Sequence, residues 1–321
     1  MVFVYVLIST EKDSYFEQAF LSISSLKQVS SDAKINLLVD KATYATFVGV
    51  RKKIVEMVSN IIIIDIPSTF PQVDKSRFIK TSMYKYVDES FLFIDCDTII
   101  CDALTKMNTD CLLGAVLDVH VPISQHSQRK TIYKRNKLCN FAEANQSEFH
   151  YNSGVLYVQK AKQCEKFFDL WHKLWLYTRE KGISIDQISF NQANALLENM
   201  ITPLTGDWNC QIMRGGIKYL SNAKIIHYFS STKFTKGSST YAIDDSVYDV
   251  IKKTGTINEK IEKLIKNPKN AFYDGVSIIS SDIPTGLLCT KIFKVLVFLY
   301  QNRPPKIKIF SNIKTLRLRN H

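Results

Sequence analysis

The stretch "FLFIDCDTIICD" occupies residues 91–102. Four apolar residues run into Asp95, Cys96 and Asp97, and apolar residues follow. A short continuous apolar run, rather than an alternating one, predicts a strand buried on both faces. Two carboxylates at i and i+2 repel. On a continuing strand they would share one face, about 6–7 Å apart. At a strand end, where the chain turns, they can converge on a hard divalent cation that neutralises them. A bare D-x-D is common by chance, so its place after a buried strand is what gives it meaning.

Working outward, strands and helices alternate. Apolar runs at 2–8, 35–39, 61–64, 91–94, 112–117, 153–159 and 224–229 predict strands. Helical spacing marks 13–28, 42–58, 75–87, 161–181 and 186–199. This pattern predicts an α/β fold with a mostly parallel central sheet and helices on both faces. Ligands of such sheets bind beyond the carboxyl ends of the strands. Asp40, Asp65, Asp95 and Asp118 each end a strand, and Asp40 and Asp65 read as turn caps. Residues 120–150 look polar and irregular. The Phe and Trp of the 161–181 helix read as core.

The chain has 321 residues and 45% hydrophobic composition, enough for one large domain with an appendage. We expect a main domain over 1–240 and a basic, helical extension over 241–321. Seven cysteines, an odd and scattered set without C-x-x-C, read as reduced thiols of a cytoplasmic protein. The N-terminal "MVFVYVLIST" lacks a basic flank and a cleavage site, and reads as a first strand, not a signal peptide. No window of 18 apolar residues occurs. The net charge of +12 calls for an anionic partner. Charge alone would allow nucleic acid, which does not explain the carboxylate pair. No acidic residue occurs from Lys291 onward. A helix over 287–300 would align Leu288, Ile292, Leu296 and Leu299, with Lys291 and Lys294 off that line. This predicts an amphipathic segment on an anionic membrane surface, set against packing on the domain with solvated cations.

The stretch "SRFIKTSMYKYVDESFLFIDCDTIICDAL" (76–104) resembles glycosyltransferase family 8 and related nucleotide-sugar transferases of the GT-A fold. The resemblance continues in chain order through "VLISTEKDSYFEQAFLSISSL" (6–26), "YNSGVLYV" (151–158), "SIDQISFN" (184–191) and "IIHYFSSTKF" (225–234). It implies that Asp95, Asp97 and His227 hold Mn2+ or Mg2+, with Asp95 also on the donor diphosphate. It implies that Ser9, Thr10 and Tyr15 meet a uracil base, Asn152 the donor sugar, and Lys233 the diphosphate. Asp186 and Gln187 would lie by the anomeric carbon. Arg77 and Lys80, one helical turn apart, are candidate phosphate partners. Asp118 is either a turn residue or a donor-sugar ligand. His227 and Lys233 are six residues apart (233 − 227), as in the family's segment, but Ser230 stands where the family has Gly.

The implied function is a metal-dependent, retaining hexosyltransferase. Its donor would be UDP-glucose or UDP-galactose. Its acceptor would be a saccharide, a glycolipid or lipid-linked saccharide of cell-surface polysaccharide or lipopolysaccharide assembly, or a protein. The site would be cytoplasmic, peripheral to the inner face of a membrane. Two rivals differ in kind. A haloacid dehalogenase-type phosphatase needs Thr or Val four residues after the first Asp, where Ile99 stands. A non-catalytic nucleotide-sugar-binding protein would have no need of Asp186 beside the metal set.

Overall fold

The computed structural model describes residues 1–104, 111–212, 214–228, 243 and 245–271, and residues 291, 292, 295, 298 and 299 of a helix further on. Lys233, Ser230 and most of the 287–300 segment lie outside the described residues.

The first half alternates as expected: β1 (Val2–Leu7), α1 (Tyr15–Val29), β2 (Ile35–Asp40), α2 (Lys41–Ala45), α3 (Lys53–Met57), β3 (Asn60–Ile64), α4 (Gln72–Ser82) and β4 (Phe91–Ile94). The helix expected over 42–58 is broken. Gly49 takes a left-handed φ of 54°, and a 3-10 turn over Gly49–Lys52 separates α2 from α3. The chain continues through β5 (Thr98–Ile100), β6 (Leu113–Leu117), α5 (Arg129–Leu138), α6 (Ala142–Gln146) and β7 (Tyr151–Val158). The segment read as irregular thus holds two helices. They are mostly exposed and pack a narrow face, Ile132, Phe141 and Ala144, against Ile183 and Ile188, which leaves little periodic signal. Then follow α7 (Lys162–Glu180), α8 (Asp186–Leu196), β8 (Thr202–Pro203), β9 (Cys210–Gln211), β10 (Ile225–His227), α9 (Asp245–Thr254), α10 (Glu259–Lys266) and α11 (Pro268–Ala271).

The main sheet runs β3-β2-β1-β4-β7-β6-β8, and a small sheet runs β5-β10-β9. β1, β2, β3 and β4 are parallel, and β7 alone runs against its neighbours β4 and β6. This reversal brings the N-terminal end of β7 to the edge where the parallel strands end.

Side chains alternate across β1. Phe3, Tyr5 and Leu7 join Phe16, Phe20 and Ile23 of α1 in one core. Val2, Val4 and Val6 join Ile79, Phe93, Phe167 and Trp171 in the other. Each fully buried side chain of this size contributes about 1.5–3 kcal/mol. Val247, Tyr248, Ile251, Ile261 and Ile265, from beyond residue 240, complete the first core. No helix among the described residues is long and apolar enough to cross a membrane.

Candidate active site

β4 ends at Ile94, and the chain turns at Asp95 to begin β5. β10 pairs antiparallel with β5, matching His227 to Thr98, and Tyr228 N donates to Asp97 O at 3.2 Å. The small sheet therefore lays His227 against the D-x-D turn. One ligand atom each from Asp95, Asp97 and His227 lies within 4.8 Å of the other two. His227 Nε2 stands 3.1 Å from Asp97 Oδ1. Two carboxylates and an imidazole in this geometry form the O/N donor set that a divalent cation takes. Asp95 is held above the ordinary carboxylate range. Burial is the main cause, Asp97 adds to it, and Lys80 and His227 act against it.

The approach depends on Gly154. Asp95 N donates to Gly154 O at 2.8 Å, so β7 runs directly beside the turn. A Cβ at Gly154 would stand 2.5 Å from His227 Cε1 and 2.8 Å from Asp95 Oδ2. Only glycine fits between the two groups. Asn209, on the 3-10 turn before β9, accepts from His227 Nδ1 at 3.1 Å and is fully buried. The sequence reading passed over both Gly154 and Asn209.

The start of α8 is held by aromatic side chains of α7. Trp171 Nε1 donates to Asp186 O at 3.1 Å, and Trp175 Nε1 to Ser184 O at 3.0 Å. Asn191 accepts from Tyr151 N at 2.7 Å and donates to Tyr151 O at 3.0 Å, which ties α8 to the start of β7. Asp186 then faces α4. Arg77 Nε lies 2.8 Å from Asp186 Oδ1, and Lys80 Nζ lies 3.4 Å from Asp186 Oδ2 and 3.2 Å from Asp95 Oδ1. Ser153 Oγ donates to Asp186 Oδ2 at 2.8 Å. Burial alone would raise the Asp186 pKa, but Lys80 and Arg77 outweigh it and hold the group below its ordinary value. Both cations therefore pair with carboxylates here.

Asp118 follows β6 and is buried. His126 Nε2 lies 3.0 Å from its Oδ2, and Asn152 Nδ2 donates to its Oδ1 at 3.0 Å. Burial favours the neutral acid, but the His126 contact reverses this and drives the carboxyl far below its usual range. The next residues, Val119 and His120, sit at φ of 50° and 59°. For a β-branched valine this is a strained backbone. Gln211 braces it, accepting from Val119 N at 2.9 Å and donating to Leu117 O at 2.8 Å.

The D-x-D turn, His227 and the α4 and α8 groups surround a cavity of about 420 Å³, and Asp118 lies behind Asn152, outside its lining. Tyr15, Arg77, Lys80, Asp95, Asp97, Asn152, Asp186, Gln187 and His227 line it. Tyr15 is 45% exposed, with its ring on the rim. Ser9 and Thr10 are not among the lining residues. Their hydroxyls donate to Asp13, both at 2.8 Å, and neighbouring Ile8 reaches the cavity instead. Cys96 also lines it, with its thiol donating to Val6 O and its pKa pushed up by burial. Gln18, Gln72, Val73, Ile185 and Arg214 are lining residues the sequence reading did not single out. Asp102 accepts from Ala103 N at 2.8 Å and pairs with Lys224 at 3.5 Å.

A profile of glycosyl transferase family 8 matches residues 6–234. The chain belongs to glycosyl transferase family 8. It is a glycosyltransferase of the GT-A fold. Among solved structures, the galactosyltransferase LgtC in complex with donor and acceptor sugar analogues aligns with a TM-score of 0.55 and 16% identity, over 82% of this chain and 99% of that one. The glycosyltransferase GlyE of Streptococcus pneumoniae aligns with a TM-score of 0.50 and 18% identity, over 84% of this chain and 64% of that one. These likenesses speak to the fold. A search of curated proteins finds no match. Members of family 8 use a divalent metal and a nucleotide sugar, and the Asp95, Asp97 and His227 cluster fits such an ion.

The contact at Gly154 gives a direct test. Gly154→Ala should force Asp95 and His227 apart. We expect a stability loss of about 1–3 kcal/mol in urea unfolding, together with loss of Mn2+ binding measured by calorimetry. Full retention of Mn2+ binding would show that the two groups need not meet.

Proposed function

We propose that this family 8 enzyme transfers a hexose from UDP-glucose or UDP-galactose, with retention, at a Mn2+- or Mg2+-loaded site. The observation that carries the reading is the convergence of Asp95, Asp97 and His227 in one cavity with Asp186 and Gln187. Family membership supports retention, and LgtC's description as a galactosyltransferase supports a hexose donor.

The roles follow from the chemistry of the groups. Asp95, Asp97 and His227 would hold a divalent ion, which would supply charge stabilisation for the departing diphosphate. Tyr15, exposed on the rim, offers a ring face for the uracil. Ser9 and Thr10 would act through the backbone beside Ile8, since their hydroxyls are engaged by Asp13. Arg77 and Lys80 keep Asp186 ionised, and they are near enough to the cavity to share an incoming phosphate. Lys233 would join them on the diphosphate. Ionised Asp186 and the polar amide of Gln187 stabilise positive charge at the anomeric carbon. Asn152, which lines the cavity, borders the sugar, and Asp118 stands behind it as the acceptor of its Nδ2. The leaving phosphate oxygen takes the acceptor's proton, which asks no further base of the protein.

The acceptor is a saccharide, a glycolipid or a protein. A lipid-linked acceptor is favoured by the C-terminal helix, where Ile292 and Val295 are 74% and 54% exposed beside exposed Lys291. This is the composition of a segment that rests on an anionic membrane from the cytoplasmic side. The boundary proposed near residue 240 separates the matched family region from that extension.

Two experiments test the reading. Donor hydrolysis, measured on a panel of nucleotide sugars, should require Mn2+ or Mg2+ and should fall about 10²-fold or more in Asp97→Asn. Metal-independent turnover would contradict it, and donor binding without any turnover would favour a non-catalytic binder. Truncation near residue 280 should abolish sedimentation with vesicles containing anionic lipid. Unchanged sedimentation would remove the membrane role.

A further inference from the structure

One backbone N–H in the wall of the cavity constrains the orientation of five side chains. Gly154 N lies 2.9 Å from one terminal atom of the Asn152 amide. A backbone N–H can only donate, so that atom is the carbonyl oxygen Oδ1. Two chains of consequence lead away from it.

On the metal side, Oδ1 also accepts from Asn209 Nδ2 at 2.9 Å. Asn209 therefore turns its own oxygen to His227 Nδ1, 3.1 Å away. An oxygen at that place requires the ring proton on Nδ1. Nε2 then faces Asp97 Oδ1 at 3.1 Å, and it is the nitrogen whose lone pair a cation between the two groups would take. On the sugar side, Asn152 Nδ2 donates to Asp118 Oδ1 at 3.0 Å and reaches Gln187 Oε1 at 3.5 Å. With its oxygen there, Gln187 points its NH2 at His150 Nε2, 3.2 Å away. His150 must accept, so it is neutral with its proton on Nδ1. Burial keeps it neutral, pushing its pKa down to about 4. Asn152, Asn209 and His150 are all buried. Both lone pairs and both hydrogens of the Asn152 amide are engaged, the last through the long approach to Gln187. Little capacity is left for a sugar hydroxyl.

We propose that Asn152 is a positioning residue. Its amide, locked by Gly154 N–H, sets the His227 tautomer through Asn209 and sets which face of the Gln187 amide meets the donor. His150 closes the second chain as an obligate acceptor. The inference rests on the functional reading above and assigns Asn152, Asn209 and His150 roles that metal or sugar contact alone does not require.

The test separates the two chains by replacing one atom type at a time. Mn2+ affinity is measured by calorimetry on the full-length protein without sugar, and turnover by hydrolysis of the preferred UDP-sugar. Asn209→Leu removes the acceptor for His227 and should weaken Mn2+ by about 10–100-fold. Asn209→Asp restores an oxygen there and should recover most of that loss. Asn152→Asp keeps the acceptor toward Gly154 and Asn209 but presents an oxygen to both Asp118 and Gln187. It should retain Mn2+ affinity and lose about 10²-fold in kcat. If Asn209→Leu does not fold, the His150 pair still decides. His150→Gln can present an acceptor, and it should turn over at least about tenfold faster than His150→Leu. Equal Mn2+ loss in Asn209→Leu and Asn209→Asp, or none in either, overturns the proposal, as does equal turnover in the two His150 variants. A wild-type protein that binds no Mn2+ contradicts the functional reading itself.

Discussion

Asp95, Asp97 and His227 bring their ligand atoms within 4.8 Å of one another, and the fold must hold them there against repulsion. Two unit charges about 4 Å apart repel by roughly 4 kcal/mol at an effective dielectric near 20. Lys80 offsets part of this at Asp95, with Nζ 3.2 Å from Oδ1. The rest is geometric constraint. β5 and β10 pin the D-x-D turn to His227, and β7 lies close only because residue 154 has no side chain. A divalent cation would relieve the repulsion, so the arrangement is preorganised for one.

The reversed direction of β7 makes the rest of the site possible. It carries Asn152, Ser153 and Gly154 to the edge where β1 and β4 end, and each residue meets a different partner. Asn152 reaches Asp118 and Asn209, Ser153 reaches Asp186, and Gly154 admits His227 and Asp95. The aromatic helix α7 contributes from behind, through two indole N–H groups that fix the backbone on either side of Ile185. Packing and chemistry therefore share the same residues, and the buried Trp171 belongs to both.

Much of this was legible because local signals and chain order agree. The buried strand before Asp95, the strand ending in His227, and the D-Q pair opening a helix each carry a motif on an identifiable element. What was not legible depends on contacts between residues far apart in the chain. Nothing local to Asn209 announces that it meets Asn152, 57 residues away, and His227, 18 residues away. Arg77 and Lys80 could be read as cations, but their pairing with Asp186 depends on where the fold sets the start of α8 within reach of these α4 side chains. Helices α5 and α6 escaped because an exposed helix with a narrow apolar face has a weak period. The short strands β8 and β9 have two residues each, too few for alternation to show.

The central claim is that a divalent ion sits between the D-x-D turn and His227 when the donor nucleotide is bound. A crystal of the full-length protein grown with UDP and Mn2+, with data collected at the manganese absorption edge, tests it directly. The account predicts one anomalous peak within coordination distance of Asp95, Asp97 and His227 Nε2, with the diphosphate completing the shell. Bound UDP with no such peak, or with Mn2+ held elsewhere, would contradict it.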